Sequence, residues 1–263
     1  MDNLPSWEDV LSSAARLQEI VAKAVLVGGT AAALFANHRV SYDADHVVAD
    51  LREHFDQVLA DLESVAGWTT ERIRRPVLIL GSLDGVETGI RQLIRTQPLE
   101  TEELELLPGE RRITVPTLPE MLRIKAALVL QRNATRDYVD MIAISTKLKT
   151  DGVVSALATF DALYPQPNGA SPLRQLFTQL SDPHPFDFDS LDDQTVARLL
   201  GTTTKAQFLK SCTLLASILF NAIPTELPEH KKRPDPMPAL FRGKERNYPD
   251  KTGQENKRGT PSR

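Results

Sequence analysis

The order in which strand-like and helix-like segments follow each other is the feature that most constrains the fold. Between residues 69 and 115, four short runs rich in β-branched residues are separated by Pro or Gly: TTERIRR, VLILGSL, GIRQLIR and RRITV. Runs of this kind predict strands. After Pro116 the apolar residues recur every three or four positions, which predicts consecutive helices. Strands followed by a long helical part predict the α+β class.

The first 68 residues predict further elements of both kinds. Helical spacing of apolar residues predicts one helix over 7–24 and another over 50–65. Between them, AVLVGG predicts a buried strand, TAAALFAN a short helix with Thr30 as its N-cap, and RVSYDADHVV a second strand. We therefore expect a mixed sheet in a domain over 1–116, a helical domain over 117–228, and a ligand site in the cleft between them.

Composition excludes several classes of protein. With 41% hydrophobic and 25% charged residues among 263, the chain is an ordinary globular sequence. It has no apolar run of the roughly 20 residues that a membrane span needs, and its acidic N-terminus does not resemble a signal peptide. The single cysteine, Cys212, lies in an apolar helical run and is predicted to be a buried thiol. These features predict a cytoplasmic protein without membrane contact.

Charge is distributed unevenly along the chain. Residues 229–263 carry ten Lys and Arg against five Asp and Glu, whereas residues 1–228 carry 21 against 30. The last segment is also rich in Pro and Gly, so a disordered basic tail is predicted over 229–263. Two interpretations stay open for it: a solvated chain end, or a phosphate contact to nucleic acid.

The stretch VGGTAAALFANHRVSYDADHV places a glycine turn close to an acidic pair. A strand that ends at Gly28 and Gly29 before a helix exposes backbone N–H groups, which favour a phosphate. If SYDADHV is a strand, Asp43 and Asp45 project from the same face. Two adjacent carboxylates repel each other, and a divalent cation removes that penalty. Carboxylates together with substrate phosphates are the ligands that Mg²⁺ prefers.

This combination resembles the first motif of the nucleotidyltransferase superfamily, G-[GS]-[ST] followed after a short spacer by D-x-D, on a polymerase-β-like fold. The matching residues are Gly28, Gly29, Thr30, Asp43 and Asp45. Members of the AbiEii/AbiGii toxin branch commonly carry Arg-x-Ser before the acidic pair, as at Arg39 and Ser41 here. The resemblance implies a metal site of Asp43 and Asp45 with Mg²⁺ or Mn²⁺, and nucleotide binding by the other five residues.

A second block, LPEMLRIKAALVLQRNATRDYVDM, is similar to a later motif of the same branch. The matching positions are Lys125, Arg132, Arg136, Asp137 and Asp140. Lys125 and Arg132 are two helical turns apart, so they share a face on which they could hold a triphosphate. The resemblance implies Lys125 and Asp137 as catalytic residues and Arg132 and Arg136 as nucleotide-binding residues. The alternative is an amphipathic helix pair with ordinary surface ion pairs.

One expected residue is missing from this pattern. Many active members carry a third carboxylate on a later strand, for which VETGIRQLIRT is the candidate. The corresponding position there holds Gln92 or its neighbour Arg91, with Glu87 at the start of the strand. Gln can neither act as a base nor add charge to a metal site. Either the third ligand comes from elsewhere, or the site uses two acids, or the protein binds nucleotide without turnover.

Two functions therefore remain possible on this sequence. The first is a Mg²⁺-dependent nucleotidyltransferase that moves NMP from an NTP to an acceptor hydroxyl. For this function the resemblance implies a toxin of a toxin–antitoxin or abortive-infection pair, with tRNA, another RNA or the protein itself as acceptor and a cognate antitoxin as partner. The second is a catalytically impaired nucleotide-binding or interaction protein on the same fold.

Overall fold

The computed structural model describes residues 4–106, 111–192, 195, 199, 204–221 and 223. Residues 1–224 form one compact unit. The predicted disordered tail over 229–263 lies outside the described residues, as does most of the segment DDQTVARLL, for which a helix is expected.

The structure gives bounds for eight α-helices, one short 3-10 helix (Phe188–Ser190) and seven strands in the described ranges. The helices are α1 (Trp7–Ile20), α2 (Gly28–Ala36), α3 (Leu51–Glu63), α4 (Leu118–Arg132), α5 (Thr135–Leu157), α6 (Phe160–Leu163), α7 (Pro172–Ser181) and α8 (Lys205–Phe220). The strands are β1 (Val25–Leu26), β2 (Asp43–Val48), β3 (Trp68–Arg74), β4 (Leu78–Leu83), β5 (Val86–Gln92), β6 (Thr101–Glu105) and β7 (Arg112–Pro116).

Five strands form a mixed sheet in the order β1-β2-β5-β4-β3, and β6 pairs with β7. Strands β2 and β5 run parallel, and the other neighbours are antiparallel. The α+β class with a mixed sheet is thus confirmed. Strand β6, with the sequence TEELE, has a single apolar residue and is mostly exposed, so it offers no hydrophobic alternation from which to predict a strand.

Helices α1 and α3 cover one face of the five-stranded sheet. They pack with Val48, Ile79 and Ile90 in a cluster of buried apolar side chains. A second core joins residues on both sides of position 116, including Ala31, Val115, Met121 and Ile144. The predicted division at residue 116 therefore marks the change from strands to helices within one packed unit.

Three predicted element boundaries are wrong. Helix α1 ends at Ile20, four residues early, and β2 begins at Asp43, because residues 39–42 are not part of the sheet. Helix α2 begins at Gly28 with Val27 as its N-cap, so Thr30 is the third helical residue and not the cap. The backbone of α5 leaves helical geometry at Lys149, with φ 60°. This kink lies at the position where the sequence predicts the end of one helix and the start of the next.

No helix in the described part of the chain is long and apolar enough to cross a membrane.

Candidate active site

A cavity of about 400 Å³ lies against the sheet face that α1 and α3 leave open. Residues of α2, β2, β5, α4 and the start of α5 contribute to its wall. Ten of the eleven residues predicted for the site line it: Gly28, Gly29, Arg39, Ser41, Asp43, Asp45, Lys125, Arg132, Arg136 and Asp137. The two sequence blocks, which are far apart along the chain, therefore meet at one site.

The acidic pair lies on the half-exposed face of β2. Residues alternate strictly along this strand, so Asp43 and Asp45 face the cavity while His46 is fully buried on the other side. Burial raises the pKa of the Asp45 carboxyl, and the charge of Asp43 adds to that shift, whereas Arg91, Arg132 and Arg136 act against it. The hydroxyl of Ser41 donates to Asp43 Oδ1 at 2.7 Å. Ser41 thus orients one carboxylate of the pair.

The first turn of α2 faces the same cavity. Gly28 adopts a φ of +77°, in the left-handed region that favours glycine, and the N-cap Val27 supplies no side-chain hydrogen bond to the helix. A Cβ at Gly29 would lie 2.6 Å from Ser41 Oγ and still closer to the Arg39 guanidinium. Glycine here lets both polar side chains approach the start of the helix, where an anion is favoured.

Thr30 is the predicted site residue that does not line the cavity. It is fully buried, and its hydroxyl donates to the backbone oxygen of Asp43. This hydrogen bond ties α2 to the strand that carries the acidic pair. Thr30 therefore supports the geometry of Asp43 from behind and does not face the space where a ligand would bind.

Asp140 is the centre of a buried charge cluster beside the cavity. The Arg39 guanidinium donates to both of its carboxylate oxygens, at 2.7 and 3.0 Å, and His38 Nε2 lies 2.7 Å from Oδ1. Lys125 Nζ lies 2.7 Å from Asp140 Oδ2 and 3.7 Å from Asp137 Oδ1. Burial on its own would raise the pKa of Asp140, but Lys125, His38 and Arg39 together hold that pKa well below its ordinary value.

The contacts of Lys125 bear on its predicted role. Its ammonium is almost fully buried and is neutralised by Asp140, with Asp137 nearby. The second oxygen of Asp137, Oδ2, is buried and has no hydrogen-bond partner among the described residues. A bound group that carries a donor or a positive charge would satisfy this oxygen.

Sequence reasoning alone missed His38, because a histidine in a short loop gives no sign of a partner 102 positions away.

Three arginines line the cavity without an ion pair among the described residues, and a fourth lies within ion-pair distance of the acidic pair. In the described ranges Arg132 and Arg136 form no ion pair, and Arg91 Nε lies 3.8 Å from Asp45 Oδ1. Arg74 from the edge strand β3 lines the same wall. The cavity is therefore rich in uncompensated positive charge, although residues 1–228 are acidic as a whole. Such a cavity favours a polyanion.

The parallel register between β2 and β5 shows what lies beside the acidic pair. Asp43 is level with Glu87, Asp45 with Gly89, and Val47 with Arg91. Glu87 is exposed and does not line the cavity, and the Gln92 amide bonds the backbone of Ala49 and Arg52. Within the described residues, no group of three or more His, Cys, Asp or Glu side chains could hold a metal ion. The available donors are the two carboxylates, a set that fits Mg²⁺ when water and phosphate oxygens complete its coordination.

The other part of the cavity is apolar. Its wall is formed by side chains from β2, β4, the segment after β5, and α4: Val47, Val77, Leu78, Leu93, Leu99, Ile124 and Leu128. A cavity with a charged end and an apolar end suits an amphiphilic ligand that carries both a flat apolar group and phosphates.

Comparison with known proteins gives short or distant matches. No family model matches the chain. A region of 103 residues is 33% identical to the heme uptake protein MmpL11 of Mycobacterium tuberculosis and covers 38% of this chain and 10% of that protein. A region of 95 residues is 32% identical to the mycolic acid-containing lipids exporter MmpL11 of Mycolicibacterium smegmatis and covers 35% and 10%. The matches thus span about a tenth of the length of these relatives.

Two solved structures match this chain at low identity and low TM-score. A candidate nucleotidyltransferase from H. pylori superposes with a TM-score of 0.46 at 13% identity and covers 84% of this chain and 96% of that chain. An antigenic nucleotidyltransferase-like protein from Paracoccidioides brasiliensis gives a TM-score of 0.39 at 16% identity, with 62% and 91% covered. At these values neither structure shows the family of this chain.

Proposed function

We propose that this protein is a nucleotidyltransferase that transfers NMP from an NTP to an acceptor hydroxyl. One observation carries the proposal: the acidic pair of β2, the start of α2 and two arginines without a carboxylate partner in the described ranges line one cavity. Each element serves a different part of an NTP. The cavity also provides the apolar wall that a nucleobase requires.

The triphosphate would bind between α2 and the helices α4 and α5. Backbone N–H groups at Gly28 and Gly29 and the helix dipole favour its negative charge. Arg132 and Arg136 would donate to the phosphate oxygens. Arg39 and Lys125 would act mainly through Asp140, which fixes the position of both cations beside the cavity.

Asp43 and Asp45 would hold Mg²⁺ together with oxygens of the nucleotide. The ion would supply charge neutralisation at the α-phosphate and at the leaving group. In the transfer, the acceptor hydroxyl loses its proton to solvent water and its oxygen forms a bond to the α-phosphorus. The bond from that phosphorus to the bridging oxygen breaks, and pyrophosphate leaves with the electron pair. Asp137 would position the ligand through its unpartnered oxygen.

The resemblance to the AbiEii/AbiGii branch extends the proposal to biological context. It supports a toxin with a cognate antitoxin, and an acceptor that is tRNA, another RNA or a hydroxyl of the protein itself. This extension is supported by the fact that most residues of the two motifs, Asp43 and Lys125 among them, line one cavity.

A second function is favoured by one specific observation. Arg91, a cation, faces Asp45 on the strand where a third carboxylate is expected. A protein that binds nucleotide without transferring it would have the same cavity. Binding and transfer must therefore be measured separately.

The test is a transfer assay with two labels. The full chain is incubated with Mg²⁺, total RNA and each NTP labelled at either the α- or the γ-phosphate. We expect α-label, and not γ-label, to become attached to RNA or to the protein, and this attachment to be lost in Asp43→Asn/Asp45→Asn. Arg112→Gln, on the separate β6–β7 pair, is the matched surface control. Nucleotide binding without attachment of α-label would favour the second function, and absence of both would contradict the proposal.

A further inference from the structure

The open face of the five-stranded sheet carries a set of arginines that leads away from the acidic pair. In the register of the sheet, Asp45 is level with Gly89, Leu80 and Arg72 across four strands. In the next row, Val47 is level with Arg91, Leu78 and Arg74. Residues paired across neighbouring strands share a face of the sheet. Arg72 belongs to the first of these two levels, and Arg74 and Arg91 belong to the second. We call these three arginines together the arginine row.

Contacts confirm on which face the row lies. Arg74, Leu78 and Arg91 all line the cavity. The side chain of Leu80 lies over Gly89, because a Cβ at Gly89 would meet Leu80 Cδ2 at 2.5 Å and Asp45 Oδ1 at 3.4 Å. The opposite face carries Ile79 and Leu83, which are buried against α1 and α3. The arginine row therefore begins at the acidic pair and ends at the open edge strand β3.

Two of the three charges in this row have no ion-pair partner among the described residues. Within residues 4–106 and the other described ranges, exposed Arg72 and Arg74 form no ion pair, and the nearest carboxylate of Arg91 is Asp45 at 3.8 Å. The neighbouring Arg75, by contrast, pairs with Asp56 and lies over the ring of Phe55. Two unpaired arginines, together with Arg91 beside Asp45, provide charge complementarity for a chain of phosphates on the surface of an otherwise acidic body.

We propose that the arginine row binds the backbone of an RNA strand whose terminal hydroxyl reaches Asp45. This inference rests on the proposed nucleotidyl transfer, because that reaction needs an acceptor beside the acidic pair. Helix α2, which would hold the triphosphate, packs on β2, whereas the arginine row extends from β5 to the edge strand β3. The arginine row thus lies on other strands than the triphosphate site.

The size of the row favours a polymer over a single side chain as acceptor. Neighbouring strands lie about 4.8 Å apart, so the row extends roughly 10 Å from β5 to β3. A serine or threonine hydroxyl of a protein acceptor would need no such series of cations, whereas successive phosphates of a strand would contact each arginine in turn. RNA is preferred over DNA because its terminal ribose presents two adjacent hydroxyls to the acidic pair.

The test compares RNA binding by the full chain and by Arg72→Gln/Arg74→Gln. A fluorescent single-stranded RNA with a free 3′ end is titrated at several salt concentrations, and affinity is read from anisotropy. Removing two phosphate contacts should lower the slope of log affinity against log salt by about 1.4 and weaken binding at low salt by about tenfold or more. Arg74 lines the cavity, so NTP binding is compared in Arg72→Gln alone, which alters no cavity residue and should leave NTP binding unchanged. Both proteins keep residues 229–263, so any contribution of that basic segment cancels.

Arg112→Gln removes one exposed arginine outside the cavity and should leave the salt slope unchanged. An equal slope in wild type and the double variant would overturn the RNA-binding role of the row. A DNA strand that binds as tightly and accepts label as well would overturn the assignment to RNA. Failure of the proposed function is distinguishable, because it would abolish NTP binding and transfer while leaving row-dependent RNA binding in place.

Discussion

Asp140 shows how single residues organise this site. It makes no contact with the open cavity and is fully buried, yet it binds Arg39, His38 and Lys125 at once. Breaking a buried ion pair by removing one partner leaves an uncompensated charge in a medium of low polarity, which is strongly destabilising. The second sequence block therefore contains a structural cluster as well as nucleotide-binding residues.

Lys125→Met tests this distinction. The substitution keeps most of the volume but leaves Asp140 and Asp137 without their shared ammonium. We expect the free energy of unfolding to fall by about 3–5 kcal/mol, as for other broken buried pairs. Arg136→Met, which removes a cation without an ion pair in the described ranges, should cost less than about 1 kcal/mol. Urea unfolding of both variants measures the difference. Equal stability of Lys125→Met and wild type would show that the ammonium does not stabilise the cluster.

At the scale of elements, the sequence predicted local geometry better than long-range pairing. Alternation along β2 correctly placed Asp43 and Asp45 on one face of the strand. The start of α2 was predicted wrongly, because Thr30 is a good N-cap residue, while the positive φ of Gly28 that allows an earlier start is not visible in the sequence. The parallel register of β2 and β5 depends on tertiary packing. The sequence therefore named Arg91 as a residue near the expected third carboxylate, but it did not predict that Arg91 lies beside Asp45.

Gly29→Ala tests the junction between α2 and the loop that carries Arg39. The added Cβ would come within 2.6 Å of Ser41 Oγ and would displace the Arg39 guanidinium. Nucleotide affinity should therefore fall at least about tenfold, a loss of about 1.4 kcal/mol. Gly85→Ala is the control: it strains a left-handed turn, at φ +80°, but its Cβ meets no neighbour within 4 Å. We expect both variants to lose a similar amount of stability and only Gly29→Ala to lose nucleotide affinity. Unchanged nucleotide affinity in both variants would refute this role of Gly29.

At the scale of the whole molecule, the unit formed by residues 1–224 combines an acidic composition with a basic cavity. Residues 1–228 carry 21 Lys and Arg against 30 Asp and Glu, while the arginines around the acidic pair form few ion pairs in the described ranges. The core passes from the sheet into the helices without interruption, so the two sequence blocks are held by the same packing. A substitution that loosens this core should therefore lower the free energy of unfolding and also shift the residues that line the cavity.

Stability of the whole unit should depend on pH through His46. Burial lowers the pKa of this histidine to about 4, whereas the backbone oxygen of Ala44 opposes that shift. The unfolded chain, with a pKa near 6.5, binds the proton first, so the contribution is complete above pH 6.5 and is lost as the pH falls towards 4. Relative to His46→Gln, wild type should lose about 3 kcal/mol over this interval. Urea unfolding of both proteins at several pH values checks this, and parallel curves would contradict it.

Metal-assisted nucleotide binding is tested by calorimetric titration with α,β-methylene analogues of the NTPs, with and without Mg²⁺. Wild type should bind at least one analogue more tightly with Mg²⁺, and Asp43→Asn/Asp45→Asn should lose this enhancement while keeping its thermal unfolding temperature. If no analogue binds, or if the double variant responds to Mg²⁺ as wild type does, the cavity is not the metal-assisted nucleotide site proposed here.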